Sequence, residues 1–274
     1  MKFPEGIGRF TISKDKHEFL PSGYLAIEET NDGGGDNCGL YWEIGREENL
    51  PMVCLWQHEG SLLIPEFRDF TSFLEWFEKG DGSAGPTMNL NDDDFFIPLM
   101  NKGKVLTKNG RIEEAIEKLE RSVSLFGEYS ESWYLLSENY YKTGQKEKGD
   151  SALINSISSN FFFGLPAKKA IDRFNELQTS GTFQNHPMVK KGTNWIKGSD
   201  FATPISVDYD LMLEIIQDLL DSGDFRTGML MSQNYGMLMS RETEDITRRY
   251  NFEPSKWFEQ FSVKLFSIYP ERIY

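Results

Sequence analysis

The feature that most constrains this chain is an internal repeat of 34 residues. Gly110 and Gly144 stand 34 apart, and at that offset Ala115 pairs with Gly149, Leu119 with Leu153, and Ser122 with Ser156. Gly103 pairs with Ser137 and Leu106 with Tyr140 on the same spacing. Each pair matches in size class. Small residues fall where two helices must approach closely, and large ones fill the seam between them. A unit of this length with a glycine at its centre is a helix–turn–helix, and two copies stack to share one core. The pattern predicts helices near 94–108 and 111–125 in the first copy, and near 130–143 and 145–158 in the second.

In the second copy Trp133, Leu136, Tyr140 and Gly144 carry a Trp, Leu, Tyr, Gly spacing that resembles tetratricopeptide repeats. The first copy departs from it, with Leu99 in place of the Trp and Lys102 in place of the Leu. The resemblance implies a groove lined by the first helix of each unit. Carried over residue by residue, the groove positions are Lys104 and Lys108, then Tyr134, Glu138, Tyr141 and Lys142. These residues lie off the Trp133–Leu136–Tyr140 core face. Two lysines there suit an acidic peptide or its terminal carboxylate. A solvated helix face accounts for the same residues equally simply.

Charge divides the chain. Of the net −14, residues 1–80 carry −8, from 7 Lys and Arg against 15 Asp and Glu. Residues 94–180 hold 12 of each sign. An acidic chain of this kind is a poor binder of nucleic acid or of anionic membrane. No stretch of about 18 apolar residues is present to span a bilayer, and MKFPEGIGRF lacks the apolar run of a signal peptide. The expectation is a cytoplasmic protein. Two cysteines, Cys38 and Cys54, make neither a disulfide framework nor a paired zinc motif, so both read as packing residues.

The acidic segment is β-rich. Gly23–Glu28, Gly39–Ile44 and Pro51–Gln57 alternate in the manner of strands, with glycine-rich turns between them. Phe67, Phe70, Phe73, Leu74 and Phe77 then fall at helical spacing. The reading is a three-strand meander closed by one amphipathic helix. Residues 81–93 form a linker, residues 94–180 the repeats, and residues 181–274 a C-terminal helical extension. The fold class is therefore an α+β module, with an antiparallel or mixed sheet and a flanking helix, followed by an all-α repeat region.

Tyr24-Leu-Ala-Ile, the Asp32-to-Asp36 glycine turn, the Trp42 strand, Pro51-Met-Val, His58-Glu59 and the closing phenylalanine helix come in an order that resembles the C-terminal part of the SUKH superfamily, the Smi/Knr-type domain. Only about 20 residues precede the match, so the domain is short at its N-terminus. The resemblance implies an α+β fold shared by bacterial immunity proteins against polymorphic toxins and by fungal cell-wall-synthesis regulators. It implies a protein partner. An acidic module steers a basic one, and a toxin acting on nucleic acid is commonly basic. Candidate contacts are Asp32, Asp36, Glu43, Glu47, Glu48, His58 and Glu59.

Other motifs carry less. Gly80 to Gly85 matches G-x-G-x-x-G, but a helix precedes it and Pro86 follows, which is linker context. Asp32 and Asp36 bracket three glycines but lack the further ligands of a calcium loop. His17, His58 and His186 show no metal-ligand spacing, and no nucleophile motif accompanies His58-Glu59. Met212, Met229, Met231, Met237 and Met239 suit core filling or an adaptable surface, and Phe161–Phe163 suits a hydrophobic plug. No cofactor or metal is implied. The leading expectation is a non-enzymatic immunity protein that occludes a toxin. The alternatives are a repeat scaffold or cell-wall-synthesis regulator that recruits a peptide or protein, and an enzyme built on His58 and Glu59.

Overall fold

The computed structural model describes residues 1–13, 20–30, 34–79, 92–177, 183–191, 193–198 and 206–270. Its contacts divide the chain into two compact units: residues 1–90 with 236–274, and residues 91–235.

The first unit contains an antiparallel five-strand sheet in sequence order: β1 (Ile12–Ser13), β2 (Tyr24–Ile27), β3 (Asn37–Tyr41), β4 (Met52–Gln57) and β5 (Leu62–Phe67). The expected meander gains a strand at each edge. Phe67, expected in the helix, ends β5 instead, and α1 runs Phe70–Lys79. The Asp69 carboxylate fixes that start by accepting the Ser72 N–H at 2.8 Å. Side chains alternate across each strand. Leu25, Ile27, Cys38, Leu40, Trp42, Val53 and Phe67 face α1 and close a core with Phe70 and Phe73. Each fully buried apolar side chain of this size stabilises by about 1.5–3 kcal/mol. On the opposite face Tyr24, Tyr41, Cys54 and Trp56 are also buried. Cys38 and Cys54 are reduced and point to opposite faces, and burial pushes the Cys38 thiol up to about 12.

The unit's C-terminal part holds α10 (Glu244–Arg249) and α11 (Pro254–Ile268). Arg241 Nη2 donates to the Gly60 carbonyl at 2.9 Å, in the β4–β5 turn. A Cβ on Gly236 would lie 2.3 Å from the Trp257 ring, so only glycine admits that ring. The expected extension over 181–274 is therefore not one piece. Its residues to 235 belong with the repeats and those from 236 with the sheet.

In the second unit the repeat is explicit. Helices α2 (Phe96–Lys108) and α3 (Ile112–Leu125) recur as α4 (Ser130–Lys142) and α5 (Lys146–Ser158), each start displaced by 34 residues. The hydrogen bonds recur too. Ser122 Oγ donates to the Phe96 carbonyl at 2.9 Å, and Ser156 Oγ to the Ser130 carbonyl at 3.0 Å. Gly110 and Gly144 both adopt φ of 75°, and the N–H of Gly110 and Gly144 closes on Thr107 and Tyr141. Gly103 lets Leu119 approach, since a Cβ there would lie 2.6 Å from the Leu119 side chain. Met100, Ile116, Leu119, Val123, Leu136, Tyr140 and Ala152 form the shared core.

Phe161, Phe162 and Phe163 are all buried, and Phe163 meets Phe126 edge-on at 4.9 Å. Beyond them come α6 (Lys168–Asn175), the short α7 (Pro187–Lys190), a two-strand ribbon of β6 (Ile196–Lys197) and β7 (Ser206–Val207), α8 (Tyr209–Asp221) and α9 (Phe225–Met239). The boundary between the two units falls inside α9. The five methionines singled out above are buried, which makes them core filling rather than an exposed surface.

Candidate functional site

Two groups of candidate residues need separate accounts, one in each unit.

In the sheet unit, His58 follows β4 and Asp36 precedes β3. Asp36 Oδ1 accepts the His58 backbone N–H at 2.9 Å and lies 2.9 Å from His58 Nδ1. The His58 side-chain hydrogen bond holds the Asp36 carboxyl below its usual range. Gly35, at φ 102°, allows this closeness, because a Cβ there would lie 3.1 Å from the imidazole. His58 thus pairs with Asp36 rather than with its neighbour Glu59, which is exposed. Glu48 is exposed as well.

Glu43 and Glu47 are not on the surface. Glu43 is 7% exposed and pairs with Arg46 at 3.2 Å. Glu47 is 4% exposed, and its Oε1 accepts the Gly45 N–H at 3.0 Å while its carbonyl accepts the Lys2 N–H. The turn after β3 folds these carboxylates inward, Glu43 onto the Arg46 guanidinium and Glu47 onto the Gly45 backbone N–H. Both are withdrawn as partner contacts. Asp32, and with it the calcium-loop reading, lies outside the described residues, as does the G-x-G-x-x-G segment. Among the described residues no group of three or more His, Cys, Asp or Glu is placed to hold a metal ion.

In the repeat unit, the predicted groove positions lie on α2 and α4. Lys104 pairs with Glu131 across the two helices. Tyr141 donates its hydroxyl to Asp150 Oδ1 at 2.6 Å, and burial, with Asp150, pushes the Tyr141 hydroxyl up. Burial and then Glu138 likewise push up Tyr134. Sequence reasoning missed Arg173 on α6. Its guanidinium lies 4.0 Å from the Tyr141 ring centroid and 3.6 Å from Glu138 Oε1. Lys108 and Lys142 are the last residues of α2 and α4, 34 apart, both exposed. Neither has a carboxylate partner among the described residues.

The resulting face carries two ion pairs between neighbouring helices, the Tyr134 ring, the Arg173-capped ring of Tyr141, and two lysines at one end without carboxylate partners among the described residues.

The fold thus defines a two-part protein, an antiparallel sheet module combined with helical repeats. Residues 11–85 match the model of the YfbP N-terminal domain, and residues 205–273 match that of the YfbP C-terminal domain. The chain is 28% identical over 248 residues to the protein named Uncharacterized protein YfbP of Escherichia coli (strain K12), which covers 89% of this chain and 87% of that one. The N-terminal match contains all of β2–β5 and α1, and the C-terminal match contains α8–α11. The 34-residue repeat lies between the two matches. No helix among the described residues is long and apolar enough to cross a membrane.

Proposed function

We propose that this chain is a non-enzymatic protein–protein interaction protein that holds an extended acidic segment of a partner on the face of α2, α4 and α6. One observation carries this reading: Lys108 and Lys142 occupy the same place in successive repeats, exposed and without carboxylate partners among the described residues. Other cations of that face, Lys104 and Arg173, are already engaged with Glu131 and Glu138. The half-buried ring of Tyr134 supplies apolar contact area at low entropic cost. No bond is made or broken.

The test is titration of a blocked dodecapeptide rich in Asp and Glu against the full chain at several salt concentrations. Binding should weaken as salt rises. The double variant Lys108→Glu, Lys142→Glu should lose at least about tenfold in affinity. Unchanged affinity in that variant would remove the repeat face as the site.

A second reading is the immunity role implied by the SUKH resemblance, with a basic toxin as partner. It is favoured by Glu48 and Glu59, which stay exposed in a segment of net −8. It predicts that reversing Glu48 and Glu59, rather than the lysines, abolishes partner binding.

A further inference from the structure

The short helix α7 hangs on one residue. Pro187 opens it and has no N–H to offer, so its first backbone donors are Met188, Val189 and Lys190. His186 accepts from all three. Its ring Nδ1 takes the Met188 N–H at 3.3 Å, and its carbonyl takes the Val189 N–H at 2.9 Å and the Lys190 N–H at 2.8 Å. A helix of four residues does not stand by itself in water. What α7 holds in place is apolar. Met188 and Val189 are buried, and the helix packs against α8 and the turn at 193–195, where Trp195 is buried too.

The cap fixes the charge of the ring. An imidazole nitrogen accepts a hydrogen bond only while it carries no proton, so His186 is neutral, with its proton on Nε2. Partial burial, with the Phe183 ring edge-on at 6.5 Å, works in the same direction and holds the His186 pKa below the ordinary 6.5. Among the described residues the one charge that acts on the ring is Asp224, in the turn before α9, and it favours the imidazolium. Glu214 and Asp218 of α8 are engaged with Lys191, Lys190 of α7 is exposed, and the turn at 193–195 has no charged side chain. Asp224 accepts the Thr227 N–H at 3.3 Å and makes no ion pair among the described residues. The ring therefore has two partners that exclude each other. One is a backbone donor that needs it neutral, and the other is a carboxylate that favours it charged.

We propose that His186 is a pH-operated clasp: the neutral ring caps α7 and keeps Met188 and Val189 in the core, whereas the imidazolium drops the Met188 N–H for Asp224 and releases α7. The direction is fixed by the depressed value of the folded-state ring. The cap is fully present above about 6.5 and is lost as pH falls below it. The clasp does not rest on the reading of the repeat face.

The test follows amide hydrogen exchange residue by residue in the full chain, corrected for the intrinsic effect of pH, while the His186 ring is titrated by NMR. From about pH 7.5 to about pH 5 the protection of Met188 and Val189 should fall at least about tenfold, with the midpoint of the ring titration, while α3 keeps its protection. His186→Asn caps without titrating, so Met188 should stay protected at both pH values. Asp224→Asn removes the charge that favours the imidazolium, so the midpoint should move to lower pH. Protection of Met188 that does not follow the ring titration, an equal acid loss in His186→Asn, or a midpoint that stays or rises in Asp224→Asn would each overturn the proposal. None of these outcomes bears on Lys108 and Lys142.

Discussion

The Tyr24 ring lies across Gly39 on the neighbouring strand, so close that a Cβ on Gly39 would sit 2.4 Å from the ring's Cζ. The two residues are diagonal neighbours, two positions from direct pairing, since Gly39 opposes Ala26 and Tyr24 opposes Tyr41. The hydroxyl then reaches the Asn37 side-chain oxygen at 2.7 Å. Burial raises the Tyr24 hydroxyl pKa well above its usual value, which keeps it a donor. Gly39→Ala should therefore cost about 2 kcal/mol through overpacking. Tyr24→Phe should cost about 1 kcal/mol through the lost hydrogen bond. Urea unfolding of the full chain, followed by tryptophan fluorescence, measures both. A neutral Gly39→Ala would mean that the ring moves aside freely.

The repeat makes a prediction of equality. Gly110 and Gly144 share φ of 75° and face open space, so an alanine at either meets backbone strain and no clash. Each substitution should destabilise by about 1 kcal/mol, and by the same amount within error. Paired denaturation curves check this. Unequal losses would mean that the two turns are supported differently despite their matching hydrogen bonds.

The repeat was legible because a period of 34 residues repeats every constraint at once: turn glycine, close approach and core seam. β5 was not legible. Pro65 inside it argues against a strand, and Phe67 falls into register with Phe70 and Phe73. The register with β4 overrides both signals, with Pro65 on an edge where its missing N–H leaves no ladder bond unmade. Glu43 and Glu47 look like any surface acids in sequence. Only the folded turn reveals that they serve Arg46 and the Gly45 N–H. Arg173 belongs to a helix with poor repeat consensus, and its reach to Tyr141 and Glu138 is a tertiary fact.

Glu47 and Glu48 should accordingly part company on substitution. Glu47→Lys places an unpaired cation where 4% of the residue is exposed and orphans the Gly45 N–H. A loss on the order of 3 kcal/mol is expected. Glu48→Lys, at an exposed position, should stay within about 0.5 kcal/mol of the parent. Thermal melts of the two variants decide the matter, and equal melting temperatures would contradict the buried placement of Glu47.

Arg173 ties α6 to α4 through a ring face and a carboxylate. Arg173→Ala should speed amide exchange in Lys168–Asn175 more than in Ser130–Lys142. Arg173→Lys should restore little, since an ammonium group does not stack flat on the tyrosine ring. Hydrogen exchange read by mass spectrometry gives both comparisons. Equal exchange in α6 before and after Arg173→Ala would show that the helix is held by its apolar face alone.

Glu66 sets a pH dependence whose sign is fixed. Burial raises its folded-state carboxyl from the ordinary 4.5 to about 7. The folded chain therefore binds more protons than the unfolded chain between those two values. Its contribution to stability is fully present below about 4.5 and is lost as pH rises through about 7. Since the group is partly exposed, solvent screening reduces the effect to about 1 kcal/mol. Glu66→Gln cannot ionise, so the variant should match the parent near pH 4.5 and exceed it by about 1 kcal/mol at pH 8. Urea titrations at the two pH values give the difference directly. A variant weaker than the parent at pH 8 would mean that the ionised carboxylate is stabilised in the folded chain.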